Sequence, residues 1–166
     1  LSLIDEDVLE AARERGSAVH AAIHDHHYGI EHELASEYKP WFDAYLAFLE
    51  QTGHQPTVSE YELVDTEWGV VGHPDREGWH QRTTRALYDF KSGGAQGVEY
   101  QLAAYRFMRN RLRPKAPIDT CFAVQLRRDG TYRLHEIDTH KPMAHGFTPE
   151  QVWLASVVNW RARGGK

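Results

Sequence analysis

At 166 residues the chain has the length of one domain, 1–166, with room for a proper core. Its 41% hydrophobic and 26% charged residues describe an ordinary soluble globular protein. The single cysteine, Cys121, excludes internal disulfides, a zinc ribbon and a four-cysteine cluster, and the net charge of −5 advertises no global affinity for nucleic acid. No apolar run approaches the roughly 18 residues of a membrane span and no signal-peptide pattern opens the chain, so an intracellular, cytoplasmic protein is expected.

In chain order, the pattern predicts N-terminal helices over about 5–51. The first runs from near Asp7 to His27 with Val8, Ala11, Ala12, Val19 and Ile23 on its apolar stripe, interrupted by Gly16. The second spans about Ser36 to Gln51, although Pro40 suits a first turn and so favours a later start. Strands follow at about Thr57–Asp65, Gly69–Asp75 and Arg85–Lys91, with a hairpin turn at Asp65-Thr66-Glu67 and a polar loop over Arg76 to Thr84. A helix from about Gly97 to Arg111 ends before Pro114. Strands at Thr120–Arg127 and Tyr132–Asp138 flank the Asp129-Gly130 turn, and a last helix starts at Thr148-Pro149-Glu150-Gln151, a capping box with proline in the first position. The central core is placed at about 57–127, and a C-terminal hairpin and helix at about 120–162.

The chemistry concentrates around Asp89-Phe90-Lys91. Residues two apart on a strand share a side, so Asp89 and Lys91 project together while Phe90 faces the core. Asp75, closing the preceding strand after Gly72, can share a cation with Asp89. Hard oxygen ligands suit Mg²⁺ or Mn²⁺, and a lysine beside them can orient water and offset phosphate charge, the requirement of phosphodiester hydrolysis. Glu60 can add a third carboxylate or hold a metal-bound water; Glu62 has the same parity, so alternation leaves the choice open. Gln101 and Tyr105, four apart on a helix, can bind phosphate oxygens or merely cap the core.

Arg106, Arg109, Arg111, Arg113 and Lys115 make either a phosphate-attracting patch or a solvated helix face. The histidines are also open to two readings. His20, His24 and His27 share one helix face near His26 and His32, as either a Zn²⁺ or Ni²⁺ site or a polar surface. Of the tryptophans, Trp41, Trp68, Trp153 and Trp160 read as core, and Trp79 as a loop residue that folds back or stacks on a base.

The succession Gly16-Ser17-Ala18-Val19-His20, Glu60, Gly72-His73-Pro74-Asp75, Asp89-Phe90-Lys91 and Gln101-Leu102-Ala103-Ala104-Tyr105 resembles the RecB-type branch of the PD-(D/E)xK nucleases. The resemblance covers residues 16–105 in motifs and extends to Arg127 in strand order. It implies a restriction-endonuclease-like α/β fold, a central mixed sheet with an αβββαβ core flanked by helices. It also implies that His20, Asp75, Asp89 and the Phe90 carbonyl ligate Mg²⁺ or Mn²⁺, that Lys91 is catalytic with Glu60 auxiliary, and that Gln101 and Tyr105 contact DNA. The single cysteine makes the chain a cluster-free member, and the lack of a G-x-x-x-x-G-K-[S/T] loop leaves any unwinding to a separate helicase or recombination protein. The expected activity is a deoxyribonuclease, an exonuclease on DNA ends or single strands, with a homo-oligomer left open. The rival expectation is a nuclease-fold module that binds DNA or a partner without turnover.

Overall fold

The computed structural model describes residues 6–165, so the two ends of the expected domain lie outside the described residues. Helix α1 (Glu6–His27) runs unbroken through Gly16, with Glu6 and Asp7 in its first turn and His24, His26 and His27 in its last, where each suits the helix dipole. Its expected stripe is only half used. Val19, Ala22 and Ile23 are buried, whereas Val8 and Ala11 are exposed because the core meets only the C-terminal half of the helix. Helix α2 (Lys39–Thr52) takes Pro40 in its first turn and ends at Gly53, whose φ of 61° needs no Cβ.

Two expected strands are shorter than the pattern implied. Glu60, at φ +46°, breaks Thr57–Asp65 into β1 (Gln55–Ser59) and β2 (Leu63–Asp65). Only β3 (Val70–Gly72) survives of Gly69–Asp75, and it pairs with β2 through the predicted 65–67 turn as a separate ribbon. The expected polar loop is the larger error. Arg76–His80 forms strand β4, antiparallel to β5 (Thr84–Lys91) across a turn in which Gln81 and Arg82 both adopt positive φ. Arg76 and Glu77 read as loop residues by polarity, yet both are buried, with Glu77 held by Arg85, Arg109 and Tyr61. Trp79 therefore lies in a strand, with the Arg85 guanidinium over its ring at 4.8 Å.

Helix α3 (Val98–Leu112) connects β5 to β6 (Thr120–Leu126), the one parallel neighbour, and β7 (Tyr132–Glu136) returns through the Asp129-Gly130 turn. The result is an α/β architecture with a mixed five-stranded sheet, order β1-β4-β5-β6-β7. Strand parity divides its two cores. Ala86, Tyr88 and Phe90 pack with Phe122 and Val124 against α1 and α2. On the other face Leu87, Cys121 and Ala123 meet Val98 and Leu102 of α3. Helix α4 (Pro149–Ala162), started by the expected Thr148–Gln151 capping box, lies against α3 with Trp153 5.3 Å from Phe107. Trp68 meets Phe107 from the ribbon, but Trp160 is 47% exposed rather than core. Among the described residues no helix is long and apolar enough to cross a membrane.

Candidate active site

The site forms where two strands part. Strand β4 pairs with β5 only as far as Arg76 opposite Tyr88, while β5 continues to Lys91 on its β6 side. The Phe90 N–H and C=O therefore lack strand partners on the β4 side, and buried backbone groups demand them. Two side chains substitute. Asp75, one residue before β4, accepts the Phe90 N–H at 2.8 Å, and His20 Nε2 from α1 donates to the Phe90 oxygen at 2.8 Å.

Asp89 and Lys91 point to the α3 side, as parity requires. Lys91 Nζ donates to Asp89 Oδ1 (3.0 Å), lies 2.8 Å from Oδ2, and donates to Gln101 Oε1 (3.1 Å). Gln101 in turn donates to the Tyr105 hydroxyl at 3.0 Å. Gly72 serves this row, because a Cβ there would stand 2.7 Å from the Tyr105 ring. Asp89, Lys91, Gln101 and Tyr105 thus form one continuous polar chain.

The two carboxylates are in an unfavourable place for charge. Burial, followed by the nearby Asp75 charge, raises the Asp89 carboxyl to about 6 despite Lys91. Burial also raises Asp75, against the opposing pull of His20, the Phe90 N–H, Lys91 and Arg76. Asp89 Oδ2 is buried without an aligned hydrogen bond, although Lys91 Nζ stands close. Asp75, Asp89, His20 and the Phe90 oxygen are the groups here that could hold a cation, and ligation by His20 Nε2 requires it to give up the proton it donates to the Phe90 oxygen. Among the described residues, however, no three His, Cys, Asp or Glu side chains stand ready-assembled around an ion, and ligation of Asp89 competes with its Lys91 pairing.

Helix α1 lies across the strand ends with an i, i+4 row. Gly16 faces Ser92, His20 meets Phe90 and Asp75, His24 Nδ1 lies 3.8 Å from Glu60 Oε2, and the Tyr28 hydroxyl donates to the Ser59 oxygen. Glu60 and Glu62 share no strand face, since both lie, exposed, in the break after β1. The Glu60 N–H donates to the Asp75 oxygen at 2.9 Å, which puts Glu60 beside the site. The histidines do not gather on one ion. Burial and Arg76 lower the His27 pKa, His32 pairs with Asp25, and His26 stands edge-on to Phe42 and Tyr45.

No protein-family model matches the chain, and no curated protein does.

The expected basic patch is largely spent inside the fold. Arg109 is 1% exposed and binds Glu77 through two nitrogens, Arg106 donates to the Ile118 and Asp119 oxygens and to Thr139, and Arg111 pairs with Asp65 and Glu67. Arg113 and Lys115 remain exposed. Polarity hid this from the sequence, but periodicity carried the signal: Val98, Leu102, Tyr105 and Arg109 fall on one inward stripe of α3. A second omission is Arg15, which precedes the Gly16–His20 row and reaches Ser92, the residue after the lysine.

Proposed function

We propose that the chain is a Mg²⁺- or Mn²⁺-dependent deoxyribonuclease with a restriction-endonuclease-like fold, of the RecB type within the PD-(D/E)xK nucleases. The observation that carries this reading is the buried Asp89, with Asp75 near enough to raise its pKa and Lys91 bonded to it and onward to Gln101 and Tyr105. Burial raises both carboxyls and the Asp75 charge raises Asp89 further, and carboxylates that resist ionisation in this way favour a nearby cation.

In this reading Asp75, Asp89, His20 and the Phe90 oxygen hold the ion. When bound, the cation supplies charge for the phosphoryl oxygens and lowers the pKa of water. Lys91 Nζ, held between Asp89 and Gln101, would orient the attacking water and offset phosphate charge. Glu60, tied through its backbone to Asp75, accepts a hydrogen bond from water at the entrance. Gln101 and Tyr105 donate to phosphate oxygens of the strand. DNA ends or single strands are the substrate, and unwinding falls to a separate helicase or recombination protein.

The test is linear, nicked and circular DNA labelled at the 5′ or 3′ end, incubated with Mg²⁺ or Mn²⁺ and either the native chain or Asp89→Ala. Degradation by the native chain alone is expected. Equal degradation by both sinks the reading, and degradation by neither, with salt-sensitive binding retained, gives instead a nuclease-fold DNA-binding module.

A further inference from the structure

Arg15 differs from the arginines that the fold consumes. Arg13 pairs with Glu10, Arg85 and Arg109 with Glu77, and Arg111 with Asp65 and Glu67. Arg15 has no carboxylate in ion-pairing range among the described residues. Its guanidinium stacks 4.9 Å over the buried Trp41 ring, and Nε donates to Ser92 Oγ at 3.4 Å. Nη2 lies against Gly93, 3.6 Å from where a Cβ would stand. Stacking and the Ser92 bond fix the guanidinium plane, while Nη1 and Nη2 make no hydrogen bond among the described residues.

That placement sits one residue beyond Lys91. The Ser92-Gly93 backbone is also held from the β6 side, where Gln125 donates to the Gly93 oxygen at 3.1 Å. Gly93 and Gly94 are exposed and carry no side chain to shield the guanidinium. A planar cation fixed next to a catalytic lysine, with its outer donors open, has the form of an oxyanion receptor.

We infer that Arg15, with Ser92 Oγ, binds a phosphodiester of the DNA strand next to the scissile one at Lys91, and so sets which bond is presented for cleavage. This rests on the nuclease reading above. Arg15 is a substrate-binding residue in it and takes no part in the chemical step.

The experiment compares the native chain with Arg15→Gln and Arg15→Lys, measuring cleavage in Mn²⁺ and DNA binding in Ca²⁺ across a salt series, with thermal melts alongside. For Arg15→Gln, KM rises roughly tenfold with kcat changed far less, as for one lost charge-assisted bond, and the salt slope falls by ~0.7–0.9. Arg15→Lys recovers most of the loss. Independently of any variant, single methylphosphonates are placed at each position flanking the scissile bond. One position reproduces the loss in the native chain and adds nothing in Arg15→Gln.

A lower melting temperature with unchanged KM and salt slope makes Arg15 only a clamp between α1 and the loop, and overturns the inference. Losses that multiply at every methylphosphonate position do the same. If the native chain cuts DNA and Asp89→Ala does not, either result removes this inference and leaves the nuclease reading standing. A native chain that neither binds nor cuts DNA in any divalent cation removes both.

Discussion

Asp89→Asn is predicted to stabilise the protein while abolishing cleavage. The Asp89 side chain is 1% exposed, and its carboxyl is raised from 3.8 to about 6 by burial and by Asp75. Below pH 3.8 the group is protonated in both the folded and the unfolded chain. Between 3.8 and about 6 only the unfolded chain gives up the proton, so stability declines as pH rises through this window. At pH 7 the ionised carboxylate carries roughly 3 kcal/mol of penalty. Asparagine removes that penalty but sets an amide NH₂ beside the Lys91 ammonium, a loss of about 1 kcal/mol. The net gain of about 2 kcal/mol corresponds to a rise in Tm of about 4–8 °C for a chain of this size. Thermal denaturation in EDTA at pH 7 and pH 4 measures it: the gap is full at pH 7 and closes towards pH 4. Adding Mn²⁺ raises the Tm of the native chain and leaves the variant unmoved. A variant no more stable than the native chain at pH 7, or a gap independent of pH, refutes the argument.

Three other perturbations separate fold from chemistry. Glu77→Ala leaves the buried Arg109 without its carboxylate, and urea denaturation is expected to show a loss of about 3–5 kcal/mol. Gly72→Ala places a methyl 2.7 Å from the Tyr105 ring, so the tyrosine must shift; a loss of about 1–3 kcal/mol in a melt, with weaker DNA binding, is expected. Lys91→Ala is expected to lower single-turnover cleavage by at least ~10²-fold while binding in Ca²⁺ changes only a few-fold. Parallel loss of binding and cleavage would make Lys91 a phosphate anchor instead.

The sequence made visible what depends on local rules. Helix ends at Pro40 and Thr148, the turns at 65–67 and 129–130, and the parity of Asp89, Phe90 and Lys91 all follow from one or two neighbouring residues. What it hid was pairing at a distance. Arg76 and Glu77 read as loop because their polarity is local, whereas their burial depends on Arg109 and Tyr61 from other elements. The same blindness hid the burial of Arg109 and the inward bonds of Arg106. Glu60 reads as a strand residue by pattern, yet its positive φ ends β1, and that break brings its backbone to Asp75.

These errors converge on one feature, the unequal lengths of β4 and β5. Had β4 begun two residues earlier, Pro74 would have stood opposite Phe90 and accepted its N–H in place of Asp75, but with no N–H of its own it would still have left the Phe90 oxygen to His20. Because it begins at Arg76, Phe90 is completed by a carboxylate and an imidazole, from the start of β4 and from α1. The same continuation carries Asp89 and Lys91 past the paired ladder, where α3 supplies Gln101 and Tyr105. Buried acids are then held in place by backbone requirements rather than by their own stability. That is why removing the charge of Asp89 is predicted to strengthen the fold, and why the proposed cation would draw on both.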